Sequence, residues 1–265
     1  SKMCFLGDGS QGGAGILVGS PVWLLDGSRL VISVFCDFCW IDCLGGDAGN
    51  SKSRKMPWRG DAKLRIACIA SSGIPSNAAH SIQVVKMCGA LAGQQDAVTL
   101  WVPGKKTTSW QEIANFYGVG NEFPIQWLQS RKLLRRMDFA ISALMAARRW
   151  NADVIYTWMV QVAVMALWLG FPAVLEIHDR PTGRVGPVWL RQFSRVKGRK
   201  KRALLISHAL RSVLSEEYNI RFADDVVRIS PNGCDLDRYQ DLPDPSKARQ
   251  ALGLADVLTA VYSGH

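Results

Sequence analysis

The sequence predicts an α/β protein built on an open, mostly parallel sheet with helices on both faces. Short apolar runs of strand length alternate about six times with stretches of helical period, an order typical of sheets in which each helix connects two parallel strands. Turn residues such as Pro103-Gly104 and Asn232-Gly233 follow these runs. With 265 residues, of which 48% are apolar, the chain is long enough to bury the core of such a domain.

The regular pattern begins at Leu64. Strands are predicted for the apolar runs 64–70, 97–102, 124–127, 153–156, 173–177, 203–206, 226–229 and 258–262. Helices are predicted over 78–92, 111–117, 137–150, 159–169, 188–196, 208–218 and 246–252. In the first helix we expect Ser76 or Asn77 to be the cap, and Ile82 and Val85 to lie on the buried face.

Residues 1–55 differ in composition from the rest of the chain. They are rich in Gly, Cys and Trp, show neither the strand period nor the helix period, and end in a polar run over 49–55. A natural start at Met56 would place the first strand close to the N-terminus. We therefore expect residues 1–55 to be a non-native or disordered extension and residues 56–240 to form one domain. Residues 241–265 would then be a linker and the beginning of a truncated second domain.

The apolar runs and the cysteines predict a cytoplasmic protein without a membrane span or a metal. The run 154–177 is long enough to cross a membrane, but a Gly-Phe-Pro turn at 170–172 divides it into a helix and a strand. Residues 1–20 lack the features of a secretory signal. Cys36, Cys39 and Cys43 have no second ligand pair or neighbouring His, whereas zinc usually takes four ligands. We expect the thiols to be reduced.

The chain is strongly basic, with 32 Lys and Arg against 22 Asp and Glu. Most of the excess lies between Arg131 and Arg202, where 15 basic side chains stand against four acidic ones. Such a region attracts polyanions, which include lipid headgroups, nucleic acid and phosphorylated small molecules. The alternative is a solvated helix face that only keeps the protein soluble.

Candidate site residues are those that follow each strand, because ligands of such sheets bind in the crevice at the carboxyl ends of the strands. Ser72 and Gly73 follow the first strand and precede a helix N-terminus, which offers free N–H groups to a phosphate. Their spacing matches no standard phosphate loop, so a plain strand–helix turn is an equal alternative.

A second group of candidates follows the strand 173–177 and comprises His178, Asp179 and Arg180. A His at this edge can donate a hydrogen bond to a sugar hydroxyl or to a phosphate, and its charge can change near neutral pH. We expect His178 and Asp179 to be catalytic, with Asp179 orienting the ring, although a lone His is more often structural. His80, in the first helix, is either a contact for an acceptor molecule or an ordinary helix residue.

Thr157, Ser207, Asn232 and Gly233 also follow predicted strands and are candidate binding residues. The Asn-Gly pair tolerates positive φ and predicts a sharp turn, which alone would explain its presence. The sequence shows no Ser–His–Asp arrangement with nucleophile-elbow spacing, no His-x-x-x-His zinc pattern and no aromatic-basic RNA motif.

A series of short segments occurs in an order that points to one family of enzymes. The segments are Pro75-Ser76-Asn77, Ser81-Ile82-Gln83, Lys86-Met87-Cys88, Val154-Ile155-Tyr156-Thr157, Glu176-Ile177-His178-Asp179, Ile206-Ser207, the run over 230–239 and Val261-Tyr262-Ser263-Gly264-His265. Together they resemble the N-terminal half of the family 4 retaining glycosyltransferases, which have the Rossmann-like, two-domain GT-B fold. The resemblance covers roughly residues 64–265.

The resemblance implies that a sugar is transferred from a nucleotide-sugar to an acceptor, with retention of anomeric configuration and without a metal or other cofactor. It implies that the first domain mainly holds the acceptor, that the Ser72-Gly73 loop lies near the donor diphosphate and that His178 contacts the transferred sugar. Asn232-Gly233 would lie near the interdomain cleft. The first loop lacks the Gly-Gly pair common in the family.

The sequence ends before the motifs by which the family grips its donor, which are a basic pair and a pair of glutamates. We therefore expect this chain to be a fragment that turns over very slowly or not at all by itself. If the acceptor is lipid-linked or a polysaccharide precursor, two basic segments could dock on the anionic inner face of a membrane. They are 131–136, with Arg131 and Arg136 at its ends, and 195–202, with Arg195 and Arg202.

The alternative function is that of a non-catalytic basic α/β module that binds anionic membrane or nucleic acid. The glycosyltransferase hypothesis predicts no nucleic-acid binding. Stabilisation by nucleotide-sugars as opposed to oligonucleotides would separate the two.

Overall fold

The computed structural model describes residues 63–94, 96–130, 136–197, 200–233, 241–255 and 257. These residues fall into two compact units, one with the described residues up to 232 and one with those from 233 onward. The expected extension 1–55, the predicted strand 258–262 and the basic residues 131–135 lie outside the described residues.

The larger unit is organised around one seven-stranded sheet in which all neighbouring strands are parallel. Its strands are β1 Arg65–Ile69, β2 Ala97–Pro103, β3 Ile125–Leu128, β4 Val154–Thr157, β5 Ala173–Ile177, β6 Lys201–Leu205 and β7 Val227–Ile229. Their spatial order is β3-β2-β1-β4-β5-β6-β7. The order reverses between β1 and β4, and such a switch point is where sheets of this kind bind ligands. The predicted α/β class with a parallel sheet is confirmed.

Helices connect each strand of this sheet to the next. They are α1 Ala79–Gly93, α2 Trp110–Tyr117, α3 Met137–Arg149, α4 Val160–Trp168, α5 Gly186–Arg195 and α6 His208–Glu216. In the smaller unit, α7 spans Pro245–Ala251. Its N-cap is Asp244, whose side chain accepts from the Ser246 backbone N–H at 2.9 Å. The predicted helices are therefore present, with ends that differ by at most two residues.

The five inner strands of the sheet, β1, β2, β4, β5 and β6, are buried on both faces because helices cover both, whereas the edge strands β3 and β7 are partly exposed. Ala67 and Ile69 of β1 belong to the core that packs against α3 to α6. The alternate residues Ile66 and Cys68 are equally buried, and Cys68 lies against Cys88 of α1. Side chains alternate between the two faces of a strand, so burial of every residue from Ile66 onward explains why β1 is continuously apolar in sequence.

Helix α1 begins and packs differently from the prediction. Its N-cap is Ala78, which makes no side-chain cap, and Ser76 instead accepts from the Ala78 backbone N–H at 3.1 Å. Ile82 is 36% exposed, whereas Ser81 and Val84 are buried along with the correctly predicted Val85. The expectation for Ile82 was wrong because the face that meets the sheet passes through the residue before it, about 100° away on the helix.

Three expectations from the sequence concern the thiols, metal binding and membrane-spanning helices. Cys68 and Cys88 are buried free thiols, and burial raises the pKa of Cys88, with a further contribution from its hydrogen bond to Cys68. Over the described residues, no group of three or more His, Cys, Asp or Glu side chains could hold a metal ion. Within the same part of the chain, every helix is too short or too polar to cross a membrane.

Candidate functional site

A cavity of about 680 Å³ opens at the carboxyl ends of β4 and β5, beside the switch point of the sheet. The loop after β1 contributes Ser71, and α1 contributes His80. Trp158 follows β4, and the segment from Glu176 to Arg180 ends β5 and leaves it. The predicted crevice therefore exists, and His178 lines it.

His178 is held by a buried carboxylate. Its Nε2 atom is hydrogen-bonded to Oε1 of Glu176, and the side chains are 26% and 5% exposed, respectively. Glu176 is the fourth residue of β5, two positions before His178. Because residues i and i+2 of an extended chain point to the same side, the geometry of the strand itself brings the two side chains together.

Glu176 has two further hydrogen-bond donors besides His178. The Tyr156 hydroxyl of β4 donates to Oε2, and the Gln83 amide of α1 donates to Oε1 at 3.4 Å. Tyr156 is fully enclosed, and burial is the main cause that raises the pKa of its phenol well above the ordinary value, with the nearby Glu176 carboxylate adding to it. The phenol therefore stays protonated and keeps donating at physiological pH.

Aromatic rings form the wall of the cavity next to this cluster. The ring of Trp158 lies 5.1 Å from that of Tyr156 and 6.3 Å from that of His80, the latter in an edge-on arrangement. The Trp158 indole N–H has no partner among the described residues. Although much of the His80 side chain is exposed, partial burial lowers its pKa, and the nearby His178 and Arg136 lower it further against the opposing effect of Glu176. His80 is therefore neutral at physiological pH.

Asp179 does not orient His178, contrary to the expectation. Its Oδ1 atom accepts from the Arg180 backbone N–H at 2.6 Å, while Glu176 occupies the place beside the imidazole. Asp179 lies in an exposed bend after the end of β5, whereas Glu176 is buried within the strand and contacts the imidazole. Arg180 is exposed and pairs with Glu217 at 3.0 Å, and both Asp179 and Arg180 remain on the cavity lining.

The loop after β1 contributes Ser71 to the cavity lining, whereas the candidates Ser72 and Gly73 follow it outside that lining. Ser72 is 3% exposed, and its hydroxyl has no partner among the described residues. Gly73 is exposed, and a Cβ atom there would meet nothing within 4 Å. The Arg136 guanidinium donates to the backbone carbonyl of Ser71, which holds the loop from the other side. The contact of Ser72 and Gly73 with a donor diphosphate stays a prediction.

Four other candidates lie away from the cavity lining, and two of them have structural roles. Thr157 is fully buried; its hydroxyl donates to the Ile69 carbonyl at 2.7 Å and accepts from the Met159 N–H at 3.0 Å, so both of its capacities serve the fold. Ser207 caps α6 by accepting from the Leu210 N–H at 3.1 Å. The exposed Asn232-Gly233 pair does not use the positive φ that its sequence suggested.

The basic segment 195–202 is not uniformly available to a partner. Arg195, Lys197 and Lys200 are exposed, but Lys201 is only 8% exposed and donates to three backbone carbonyls at the end of α5. Lys201 therefore belongs to the interior, which a count of charges along the sequence does not reveal. Arg136 of the other segment binds the Ser71 carbonyl.

Sequence reasoning found His178 but missed the residues around it. Glu176 is the only acidic residue in the apolar run of β5, and an unexplained charge two positions before a candidate His is a usable signal. Tyr156, Gln83 and Trp158 come from other elements, at separations that no local pattern connects.

Comparison with known proteins agrees with this architecture. A glycosyltransferase from Rickettsia africae has a similar structure, with 12% identity, 72% of this chain and 49% of that chain covered, and a TM-score of 0.51. Anabaena HepE in complex with UDP and glucose is matched at 15% identity over 72% of this chain and 50% of that chain, with a TM-score of 0.47. The chain thus spans about half the length of these solved structures.

Sequence comparison supplies the family. No curated protein is a significant match to the chain. The family model described as Glycosyltransferase Family 4 matches residues 81–238, which is more than half of the sequence and includes all of the cavity residues from Trp158 to Leu190. The chain belongs to glycosyltransferase family 4.

Proposed function

We propose that this chain forms the acceptor-binding half of a retaining glycosyltransferase that uses a nucleotide-sugar donor. In the proposed reaction, the bond between the anomeric carbon and the diphosphate breaks, and the nucleoside diphosphate leaves with the bonding electrons. The acceptor hydroxyl oxygen bonds to the same carbon from the face that the diphosphate left, and its proton passes to the departing diphosphate. Retention and the nucleotide-sugar donor rest on the family.

The observation that carries this proposal is the placement of His178 in the cavity at the carboxyl ends of β4 and β5. A cavity of about 680 Å³ has the size of a small-molecule site. His178, His80 and Trp158 supply polar atoms and aromatic faces to it. These groups suit a neutral hydroxylated ligand, because rings offer apolar surface and their nitrogens offer directional hydrogen bonds.

Sugar binding by the chain tests the proposal directly. In ligand-observed NMR with a panel of glycosides, we expect His178→Ala to lose binding and His208→Ala to retain it. His208 is a matched control because it is an exposed histidine at the start of α6, outside the cavity lining. Equal binding by the two variants, or binding of oligonucleotides alone, would contradict the proposed function and favour a nucleic-acid module.

Metal independence is also part of the proposal and follows from the family resemblance. Nucleotide release from a panel of nucleotide-sugars, measured with and without EDTA, tests it. We expect the same rate in both, and a rate that is low because the chain spans only half the length of its solved relatives. Loss of release on chelation, restored by Mg²⁺ or Mn²⁺, would contradict metal independence.

An apolar groove supports a membrane-bound acceptor. It has a volume of about 330 Å³ and lies between α3, α4 and the Trp189 side chain of α5. Ile141, Met145 and Trp168 are 51%, 42% and 55% exposed there. The exposed Arg148 is adjacent, since its guanidinium donates to the Leu169 carbonyl at 3.0 Å. Exposed apolar side chains beside cations suit the anionic cytoplasmic leaflet, to which each basic residue adds roughly 1 kcal/mol.

Vesicle sedimentation tests the membrane part. We expect the chain to bind vesicles that contain phosphatidylglycerol and to release them with salt, and we expect Trp168→Ser to weaken this binding. Phe116→Ser is the matched control because Phe116 is 51% exposed on α2, apart from the groove. Binding that ignores lipid charge, or that responds equally to both variants, would dismiss this docking surface.

A further inference from the structure

The cavity contains a histidine whose two ring nitrogens have different environments. Nε2 of His178 faces Oε1 of Glu176. Across the described ranges, Nδ1 has no protein hydrogen-bond partner, and the ring lines the cavity. Any ligand in the cavity that hydrogen-bonds to this ring must therefore do so at Nδ1.

Glu176 is arranged to act as an acceptor toward His178. The Gln83 amide nitrogen can only donate, and it points to the same oxygen as the imidazole. The Tyr156 hydroxyl donates to the other oxygen. An ionised carboxylate accepts all three hydrogen bonds, whereas a protonated acid would have to give one oxygen to its own proton. The cluster therefore favours Glu176 as an anion and His178 as the donor at Nε2.

The carboxylate is also fixed in place. Its three partners come from α1, from β4 and from the residue that follows β5, so Oε1 is held by two of them and Oε2 by the third. With the side chain only 5% exposed, water does not compete effectively for the bond to the imidazole. A ring held at one nitrogen by such a group has its tautomer and its orientation set by that contact.

We propose that Glu176 is a positioning residue that fixes the neutral form of His178 as the Nε2–H tautomer, so that Nδ1 of that form accepts a hydrogen bond from a hydroxyl group of the sugar substrate. The inference rests on the proposed function for the identity of the ligand, and on the structure alone for the tautomer. The sequence left two partners open for His178, a sugar hydroxyl and a phosphate, and the proposed tautomer favours the hydroxyl. A hydroxyl can donate to the lone pair of an unprotonated Nδ1, whereas a phosphodiester, or the diphosphate of a nucleotide-sugar, has no proton to donate and would place lone pair against lone pair.

The tautomer is measured on the ligand-free chain by ¹⁵N and ¹H NMR of the histidine rings. With the ring titrated to its neutral form, we expect in the wild type a His178 Nε2–H proton that is shifted downfield and protected from exchange, with an unprotonated Nδ1. Glu176→Leu removes the acceptor and loses this proton signal. Glu176→Gln keeps the shape and removes the charge, so the signal moves upfield and exchanges faster. Glu176→Gln also keeps the test decisive if the Glu176→Leu variant does not fold.

Tyr156→Phe is the matched control for a purely structural role. It removes a hydrogen bond from the same buried cluster but leaves the Glu176–His178 contact in place. We expect this variant to retain the protected Nε2–H proton. An Nδ1–H tautomer in the wild type, or an unchanged Nε2–H signal in Glu176→Gln, would overturn the positioning role, whatever the chain binds.

Titration then tests the ligand class. A methyl glycoside should shift the Nδ1 resonance, and Glu176→Gln should weaken its binding about three- to tenfold, the range expected for one impaired hydrogen bond. Dimethyl phosphate, which has no proton at neutral pH, should leave Nδ1 unchanged. A shift with dimethyl phosphate and none with glycosides would overturn the hydroxyl assignment. A protected Nε2–H proton together with no glycoside binding would refute the proposed function while leaving the role of Glu176 intact.

Discussion

Lys201 provides a sharp test of how the larger unit is stabilised. Its ammonium group donates to the carbonyls of Phe193 at 2.6 Å, Ser194 at 2.9 Å and Val196 at 2.6 Å. The last carbonyls of a helix have no partner within it, and the C-terminus of α5 carries partial negative charge. Lys201, which begins β6, therefore caps α5 from a neighbouring strand, with its ammonium 5.4 Å from the centre of the Phe193 ring.

Replacement of Lys201 by Met keeps the length of the side chain and removes the cap. Each hydrogen bond from a charged group contributes about 1.5–3 kcal/mol. Part of the sum is offset because burial of the ammonium costs several kcal/mol, as its lowered pKa shows. We therefore expect Lys201→Met to lower the free energy of unfolding by about 2–3 kcal/mol, which corresponds to roughly 5–10 °C in Tm for a unit of this size.

Thermal and urea denaturation, followed by circular dichroism, measure this effect. Lys200→Met is the matched control, because Lys200 is the adjacent, exposed lysine, and we expect it to change stability by less than about 0.5 kcal/mol. Equal stability of the two variants would refute the capping argument. It would mean that the desolvation of the ammonium cancels its three hydrogen bonds.

Three further predictions concern single side chains. The folded-state pKa of His80 is lowered, so the unfolded chain binds more protons than the folded chain near this pKa. The free energy of unfolding should therefore fall as the pH drops below about 6.5. His80→Gln should flatten the dependence of Tm on pH. Gly89→Ala should destabilise by about 1–3 kcal/mol in urea denaturation, because its Cβ would lie 2.3 Å from Val119. Thr157→Val should cost about 1–3 kcal/mol and leave glycoside affinity unchanged in NMR titrations, since both hydrogen bonds of its hydroxyl are internal.

The sheet could be predicted from the sequence because its strands are short apolar runs between turn residues. The run 173–177 coincides with β5 in both ends. The period of a helix was less informative, because it identifies an apolar stripe but not the residue of that stripe that meets the sheet. Ile82 and Ser81 show the difference, since the polar residue is the buried one.

The site was predictable only as far as the topology fixes it. The rule that ligands bind at strand ends selected His178, which lines the cavity, yet it also selected Thr157, which faces inward. The rule gives the position of a residue along the strand and not the direction of its side chain. Gln83 lies 93 residues from Glu176, so their contact depends on the tertiary fold and not on any local pattern of the sequence.

Gln83 belongs to α1, and the position of this helix determines two contacts of the cavity at once. The same helix carries His80, which stands at the edge of Trp158, so one rigid element touches both the aromatic wall and the carboxylate behind His178. Any displacement of α1 from the sheet would take a donor from Glu176 and a ring from Trp158 in one movement. Competence of the cavity is thereby coupled to the docking of a single helix, and amide exchange along α1 would report on it.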